Sequence, residues 1–106
     1  SQAMRDQTVS LYQAQSNEVT ARLRQQIAIA EQSLKSVKLY QTAILPQAKL
    51  TVESALAAYQ VNRVDFLTLL DNQMTVFDFE TSLITAMANY NKAVAEIDLL
   101  AGKKQH

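Results

Sequence analysis

Side chains able to carry out acid–base or nucleophilic chemistry are scarce in this 106-residue chain. There is no cysteine, and the single histidine, His106, stands at the last position, where we interpret it as a tail residue rather than a ligand. Catalysis usually needs a nucleophile, a base or a metal held in a dry pocket. The methionines Met4, Met74 and Met87 are too dispersed for a thioether copper site and are interpreted as core filler. We therefore expect no enzyme activity, no metal site and no cofactor.

An acidic stretch is the one feature that suggests a cation site. Asp65, Asp71, Asp78 and Glu80 occur with no basic residue among them, and carboxylates are ligands for hard cations. The four do not share one helical face at ligand spacing, although Asp71 and Asp78 are one heptad apart. We interpret the stretch as a solvated helix face in a single copy. A symmetric assembly that repeated one aspartate around an axis would turn it into a ring of negative charge.

The elements that position these side chains are predicted to be helices. One glycine and one proline leave few turns for a β-rich or α/β fold, and residues that favour helix are abundant. The formal net charge is zero and the basic residues are scattered singly, which argues against nucleic acid and acidic lipid as partners. The apolar runs are only a few residues long, so neither a transmembrane helix nor a signal peptide is predicted.

A first amphipathic helix is predicted over about residues 4–60, because apolar residues recur there every three or four positions. They are Val9, Tyr12, Val19, Leu23, Ile27, Ala30, Leu34, Val37, Ile44, Ala48, Val52, Ala55 and Tyr59. Pro46 conflicts with the pattern, because it removes the hydrogen bond to the Thr42 carbonyl and crowds the preceding turn. Two interpretations stay open: a kinked but continuous helix, or a break that makes three helices.

A second helix is predicted over about residues 65–101, where the apolar residues follow a heptad repeat. The heptad positions are Leu69, Val76, Leu83, Tyr90 and Ile97, accompanied by Phe79, Ala86, Ala93 and Leu100. A neighbouring stripe of Leu70, Phe77 and Ile84 widens the apolar arc, so this helix is expected to need partners on more than one side. Gly102 is expected to end the helix in the left-handed conformation.

The turn between the helices is predicted at residues 61–64. The periodicity slips there, and Asn62 is the residue that most readily tolerates a positive φ. Asp65 would cap the free N–H groups that begin the second helix. So short a connection makes the helices antiparallel. The predicted fold is all-α, a long antiparallel helical hairpin (coiled coil) that is too slender to bury a core alone and needs self-association or a larger parent protein.

Three segments of the chain carry a likeness to a known family. They are residues 44–48 (ILPQA), residues 58–73 (AYQVNRVDFLTLLDNQ) and residues 100–102 (LAG). Together they resemble the C-terminal half of the outer-membrane factor (TolC) family. That family shows a leucine-proline-x-alanine segment, a tyrosine three positions before a turn glycine, a leucine-leucine-aspartate-x-glutamine helix start and a closing leucine-x-glycine. The likeness covers nearly the whole chain, and residues 62–67 are closer to heavy-metal efflux members.

The resemblance implies that this hairpin is one part of a trimeric outer-membrane efflux protein. Its helices would build a periplasmic tunnel, and the barrel strands in the outer membrane would come from parts of the protein absent here. The partners implied are a periplasmic adaptor protein and an inner-membrane RND pump. Residues implied to contact the adaptor are those of the tip: Val61, Asn62, Arg63, Val64 and Asp65. Asn62 departs from the usual turn glycine, and Val64 replaces a tip arginine, with Arg63 displaced by one.

Three further residues are implied, by the same resemblance, in gating the tunnel. Tyr59 matches a tyrosine whose hydrogen bonding helps to keep the tunnel closed, and Asp71 matches one of the pore-constricting aspartates. Thr68 stands where some members have a second constricting aspartate. At this position the sequence therefore departs from a gate made of two charged rings.

Two other functions stay open. The chain could be the helical hairpin of a periplasmic adaptor (membrane fusion) protein, which also docks by its tip, and lipoyl-type β sequence would then flank it in the parent gene. It could instead be an unrelated cytoplasmic helical-bundle interaction module. A signal peptide and strand-like segments upstream would exclude that second alternative.

Overall fold

The chain folds as an all-α, antiparallel helical hairpin, as predicted. The computed structural model describes the backbone of residues 1–105 and the side chains of residues 1–103, so the interpretation of His106 lies outside the described residues. No strand occurs within residues 1–105. The first arm consists of α1 (Gln2–Leu39), a π-helical segment (Tyr40–Ile44) and α2 (Leu45–Gln60), and the second arm is α3 (Phe66–Gln105).

The first arm stays helical across Pro46, so the interpretation of a break into three helices is wrong. The adjustment is a change of hydrogen-bond register, because the Leu45 N–H donates to the Tyr40 carbonyl five residues earlier. Pro46 then falls in the first turn of α2, where a missing N–H costs least. The Thr42 hydroxyl donates to the Lys38 carbonyl at 2.6 Å. One widened turn thus accommodates a proline in the middle of a long helical arm.

One compact unit of the hairpin comprises residues 32–88. Its centre is Val76, which is only 4% exposed and packs in a cluster with Leu45 and Ala48. The half-buried side chains around this cluster are Val52, Phe79 and Leu83. The ring of Tyr40 in the π-helical segment also meets Phe79, with centroids 6.0 Å apart. The predicted heptad positions of α3 therefore form the buried seam between the arms in this unit.

The other compact unit comprises α1 as far as Glu31 and α3 from Asn89 onward. Its buried apolar residues are Ala30, Ala93 and Leu100. Two of these are alanines, whose small side chains allow helices to approach each other closely. This part of the seam is thus built mainly from small side chains.

The first fifteen residues are exposed, although the predicted apolar stripe includes Val9 and Tyr12. The reason lies in the lengths of the arms. Ile29 and Ala93 line the same groove and lie level with each other. At 1.5 Å per residue, Gln105 is then level with about residue 17. The described part of α3 therefore ends before it could cover the start of α1.

The second helix differs from its predicted bounds at both ends. It begins at Phe66, one residue later than expected, and continues to Gln105 instead of ending at residue 101. Gly102, expected in the left-handed conformation, is helical, and no glycine of the described chain has a positive φ. Apart from its two chain neighbours and the backbone of its own helix, no described atom lies within 4 Å of the position that a Cβ would take at Gly102. A glycine near a helix end permits a left-handed cap but does not impose one.

Candidate functional site

The turn at the end of the hairpin closes α2 with a Schellman motif. The Arg63 N–H donates to the Ala58 carbonyl at 2.8 Å, and the Asn62 N–H donates to the Tyr59 carbonyl at 3.0 Å. Asn62 has a φ of 59°, the only positive φ of a non-glycine residue in the described chain. The turn position and the conformation predicted for Asn62 are therefore confirmed.

Asp65 caps the start of α3, as predicted. Its Oδ1 accepts a hydrogen bond from the Thr68 hydroxyl at 2.7 Å and another from the Thr68 N–H at 2.9 Å. Both bonds stabilise the charged carboxylate, the hydroxyl foremost, and they lower the pKa of Asp65 from its ordinary value of 3.8. The Thr68 side chain is therefore engaged in the helix cap, and its role in a gate stays a prediction.

The end of the hairpin forms one shallow, open groove of about 540 Å³. Its lining consists of Tyr59, Asn62, Arg63, Val64, Asp65 and Thr68. The fold thus brings together six of the eight residues predicted for the tip or the gate, leaving out Val61 and Asp71. The ring of Tyr59 packs edge-on against Phe66, with centroids 6.1 Å apart. This contact joins the last turn of α2 to the first turn of α3 and helps to fix the shape of the groove.

Asp71 lies outside this groove, on the exposed surface of α3. Its carboxylate forms no hydrogen bond or ion pair with any described residue, whereas its backbone carbonyl accepts a bond from the Thr75 hydroxyl at 3.0 Å. Within the described chain no three His, Cys, Asp or Glu residues are grouped to hold a metal ion. A role for Asp71 in a charged ring therefore depends on what an assembly places opposite it.

A second groove, of about 450 Å³, lies beside the π-helical segment, and sequence reasoning missed it. Its lining residues are Ala43, Ile44, Gln47, Ala48, Thr51, Asn72, Thr75 and Phe79. None of them carries a charge, so the groove offers apolar surface with a few hydroxyl and amide groups. The only signal in the sequence was Pro46, which predicts a local change of helix geometry but not its form.

An exposed apolar stripe, the α3 edge, runs along the outer side of α3 in residues 32–88. Its members are Leu67, Leu70, Met74, Phe77 and Ile84, which are 40 to 65% exposed. At 100° per residue its members point between about 80° and 180° away from the buried Val76 of the same helix. Three of its members form the neighbouring stripe predicted from the sequence, and the structure leaves all three uncovered.

A second exposed stripe, the α2 edge, runs along the outer side of the first arm and is apolar except for one serine. Its members are Leu39, Ala43, Leu50, Ser54, Ala57 and Val61. Four of them stand two positions after buried or half-buried residues of the seam, which places them on the opposite face of the helix. Sequence reasoning missed this edge, because it counted only one stripe on the first arm. The signal was present as a second run of spacings of three, four and seven.

Comparison with known proteins found no match to this chain among protein-family models, curated proteins or solved structures. Within residues 1–105, no helix has both the length and the apolar character needed to cross a membrane. What the chain does must therefore be inferred from its own residues and geometry.

Proposed function

We propose that this chain is a wall segment of a passive export conduit: a periplasmic helical hairpin of a trimeric outer-membrane efflux channel in a tripartite export system. Its edges pack against neighbouring hairpins, its turn contacts a periplasmic adaptor protein, and an inner-membrane RND pump delivers the substrate. The chain itself performs no covalent chemistry. The resemblance of residues 44–48 and 58–73 to the TolC family supports this assignment.

The observation that carries the proposal is the pair of exposed edges. In residues 32–88 each arm buries one apolar stripe inside the hairpin and exposes another, wholly or mostly apolar, on its outer side. Large exposed apolar stripes mark surfaces that associate with other proteins. Because the two edges lie on opposite sides, one hairpin can have a neighbour on each side. A closed wall of hairpins requires two such contacts per hairpin, whereas a simple dimer requires one.

The geometry of the turn supports docking by the tip. The Schellman motif at Asn62 and the cap at Asp65 fix the backbone on both sides of the turn. A binding end that is already ordered loses little conformational entropy when it meets its partner. The exposed side chain of Val61 and the groove lined by Arg63 and Val64 offer apolar and cationic contacts to the adaptor.

The gate in this proposal is built from residues that a single copy leaves available. Asp71 contributes one carboxylate per copy to a negatively charged ring at the constriction. The hydroxyl of Tyr59, a residue that is 38% exposed, bonds to a neighbouring hairpin in the closed state, and opening exchanges that bond for adaptor contacts. Thr68 takes part only if its hydroxyl leaves Asp65.

The conduit is tested with the protein that contains this chain, reconstituted in planar lipid bilayers. Asp71→Asn removes one negative charge per copy, so block of the single-channel current by multivalent cations should weaken several-fold. Asp98→Asn makes the same chemical change at an exposed position of α3 outside residues 32–88 and should leave the block unchanged.

Two results would contradict this account. Equal cation block in the wild type and the Asp71→Asn variant would remove that residue from the gate. A reconstituted protein that carried no current under any condition would refute the conduit itself.

A further inference from the structure

We propose that the groove beside the π-helical segment binds an uncharged small molecule that has an aromatic end and a hydrogen-bonding end, such as a carboxamide. The volume of about 450 Å³ lies in the range of small-molecule sites. Ala43 is the one lining residue that also belongs to an exposed edge, and none belongs to the tip or the gate. The proposal therefore does not rest on the proposed function.

The levels of the residues along the two arms show that the groove has two different ends. Val76 forms the buried cluster with residues 45–48 of the first arm and lies level with them. The arms run antiparallel, and both rise about 1.5 Å per residue. Phe79, three residues beyond Val76, is therefore near the π-helical segment, and Asn72, four residues before Val76, is nearer to the turn.

The end of the groove beside the π-helical segment is apolar and has an aromatic wall. Its lining consists of Ala43, Ile44, the buried Ala48 and the half-buried ring of Phe79. The ring of Tyr40, which is not part of the lining, meets that of Phe79 at a tilt of 52° and restricts its movement. A ligand ring can pack against Phe79 in a tilted or offset arrangement, as aromatic pairs prefer.

The end of the groove nearer to the turn offers unused hydrogen-bonding groups. The carboxamides of Gln47 and Asn72 form no hydrogen bond with any described residue. The hydroxyls of Thr51 and Thr75 donate to the backbone carbonyls of Gln47 and Asp71, at 3.1 and 3.0 Å, so towards a ligand they can only accept. Each carboxamide has both donors and an acceptor, and a carboxamide on the ligand would match them.

The absence of charge from the lining selects against an ionised ligand. Lys49, Asp71 and Asp78 each neighbour a lining residue in sequence, but none of them lines the groove. A bound carboxylate or sulfonate would therefore lose part of its hydration without gaining a counter-ion. An uncharged molecule avoids this cost, which makes charge the property that the groove discriminates best.

Nuclear magnetic resonance titration of the nitrogen-labelled chain tests the proposal with two matched probes. Naphthaleneacetamide has an aromatic end and a carboxamide end, and naphthaleneacetate has the same rings with a carboxylate. Naphthaleneacetamide should shift the side-chain NH₂ signals of Gln47 and Asn72 with a dissociation constant of roughly 0.1 to 1 mM, as expected for a small ligand in an open groove. Naphthaleneacetate should bind about tenfold more weakly.

Removing one free carboxamide tests the hydrogen-bonding end. Asn72→Ala deletes a side chain that has no partner in the described chain, so the hairpin should keep its fold while naphthaleneacetamide binds several-fold more weakly. Asn91→Ala makes the same chemical change at an exposed position of α3 outside residues 32–88 and should leave binding unchanged.

Adding a cation to the groove tests the discrimination by charge. Thr75→Lys places an ammonium group at an exposed lining position and should strengthen binding of naphthaleneacetate several-fold. Thr8→Lys is the matched control, because Thr8 is also exposed and its hydroxyl also donates to a backbone carbonyl, that of Met4 at 2.9 Å. That variant should bind naphthaleneacetate as the wild type does.

Every result of these titrations bears on the proposal. No shift of the Gln47 and Asn72 signals at several millimolar naphthaleneacetamide would overturn the site, and equal affinity for the two probes would overturn the ligand class. Unchanged affinity in a folded Asn72→Ala variant would overturn the hydrogen-bonding end. If circular dichroism showed that this variant had lost helix content, Thr75→Lys would decide, and an equal gain in Thr8→Lys would count against the groove.

Discussion

Replacing Val76 by alanine is the most direct test of the buried seam between the two arms. Val76 is 4% exposed and packs with Leu45 and Ala48, so the change removes two methyl groups from a site that water does not reach. Burial of a group of that size contributes about 0.8 kcal/mol, which gives about 1.6 kcal/mol for the pair. The space left behind adds a further cost, because neighbouring side chains relax only in part. We expect the free energy of unfolding to fall by about 2 kcal/mol or slightly more.

The assay is urea unfolding followed by circular dichroism in the far ultraviolet, at one fixed protein concentration so that self-association contributes equally. Val9→Ala is the matched control, since it makes the same chemical change at a residue that is 53% exposed. That variant should stay within about 0.5 kcal/mol of the wild type. If Val76→Ala cost no more than Val9→Ala at an unchanged slope, the seam would not be where the hairpin buries its apolar surface.

Three further predictions concern the turn and the helix ends. Asn62→Gly should raise the free energy of unfolding by several tenths of a kcal/mol, and Asn62→Ala should lower it by about 1 kcal/mol, because only glycine takes the positive φ of 59° without strain. Urea unfolding of both variants checks that the glycine variant is more stable than the wild type and the alanine variant less stable. The lowered pKa of Asp65 means that its cap stabilises α3 fully above about pH 3.8 and that this stabilisation is lost as the pH falls through the pKa of the folded state. Asp65→Asn keeps a capping side chain without a titrating group, so this component should be missing from its pH titration by circular dichroism; identical acid curves would contradict the assignment. Gly102→Ala should raise thermal stability by up to about 1 kcal/mol, and a loss of stability would show that a left-handed cap forms there after all.

The heptad repeat of the second helix and the position of the turn could be predicted from the sequence. The spacing of Val76 and its heptad partners specifies a helical face without any knowledge of the partner, and Asn62 is a residue type that accepts the backbone conformation a tight turn needs. Both predictions rest on local rules that neighbouring elements did not override. The cap at Asp65 follows for the same reason, because its partner Thr68 is only three residues away.

The prediction for Gly102 failed and the one for Pro46 was left open between two outcomes, because the chemistry of both residues permits more than one result. Gly102 allows a left-handed cap and also allows a helix to continue, and the sequence contains nothing that chooses between them. Pro46 requires that a hydrogen bond be lost but does not say whether the chain breaks, bends or widens one turn. In both cases the outcome depends on how the arms pack, which the spacing of residues in the sequence does not show.

The two exposed edges were predictable only in part, for a related reason. A helix with two apolar stripes buries one of them against its hairpin partner, and spacing alone does not say which one. On α3 the stripe of Leu70, Phe77 and Ile84 was visible because its residues are large. On the first arm the second stripe is made partly of alanine and serine, which do not stand out as a surface when large apolar residues are counted. Small residues can define a contact as firmly as large ones when the other side supplies the bulk.

The π-helical segment gives the first arm a fixed rotational phase. Its hydrogen bonds span five residues, so the turn contains one residue more than an α-helical turn. Deleting a single residue there, such as Thr42, would restore a regular α-helical turn and leave the turns on either side at their present rotation. Ser33 and Val37 would therefore stay in the seam. A deletion within α1 would instead rotate the preceding turns by about 100° relative to α2 and carry buried residues toward solvent. Tyr40–Ile44 is thus the place where the first arm can lose one residue and keep its seam.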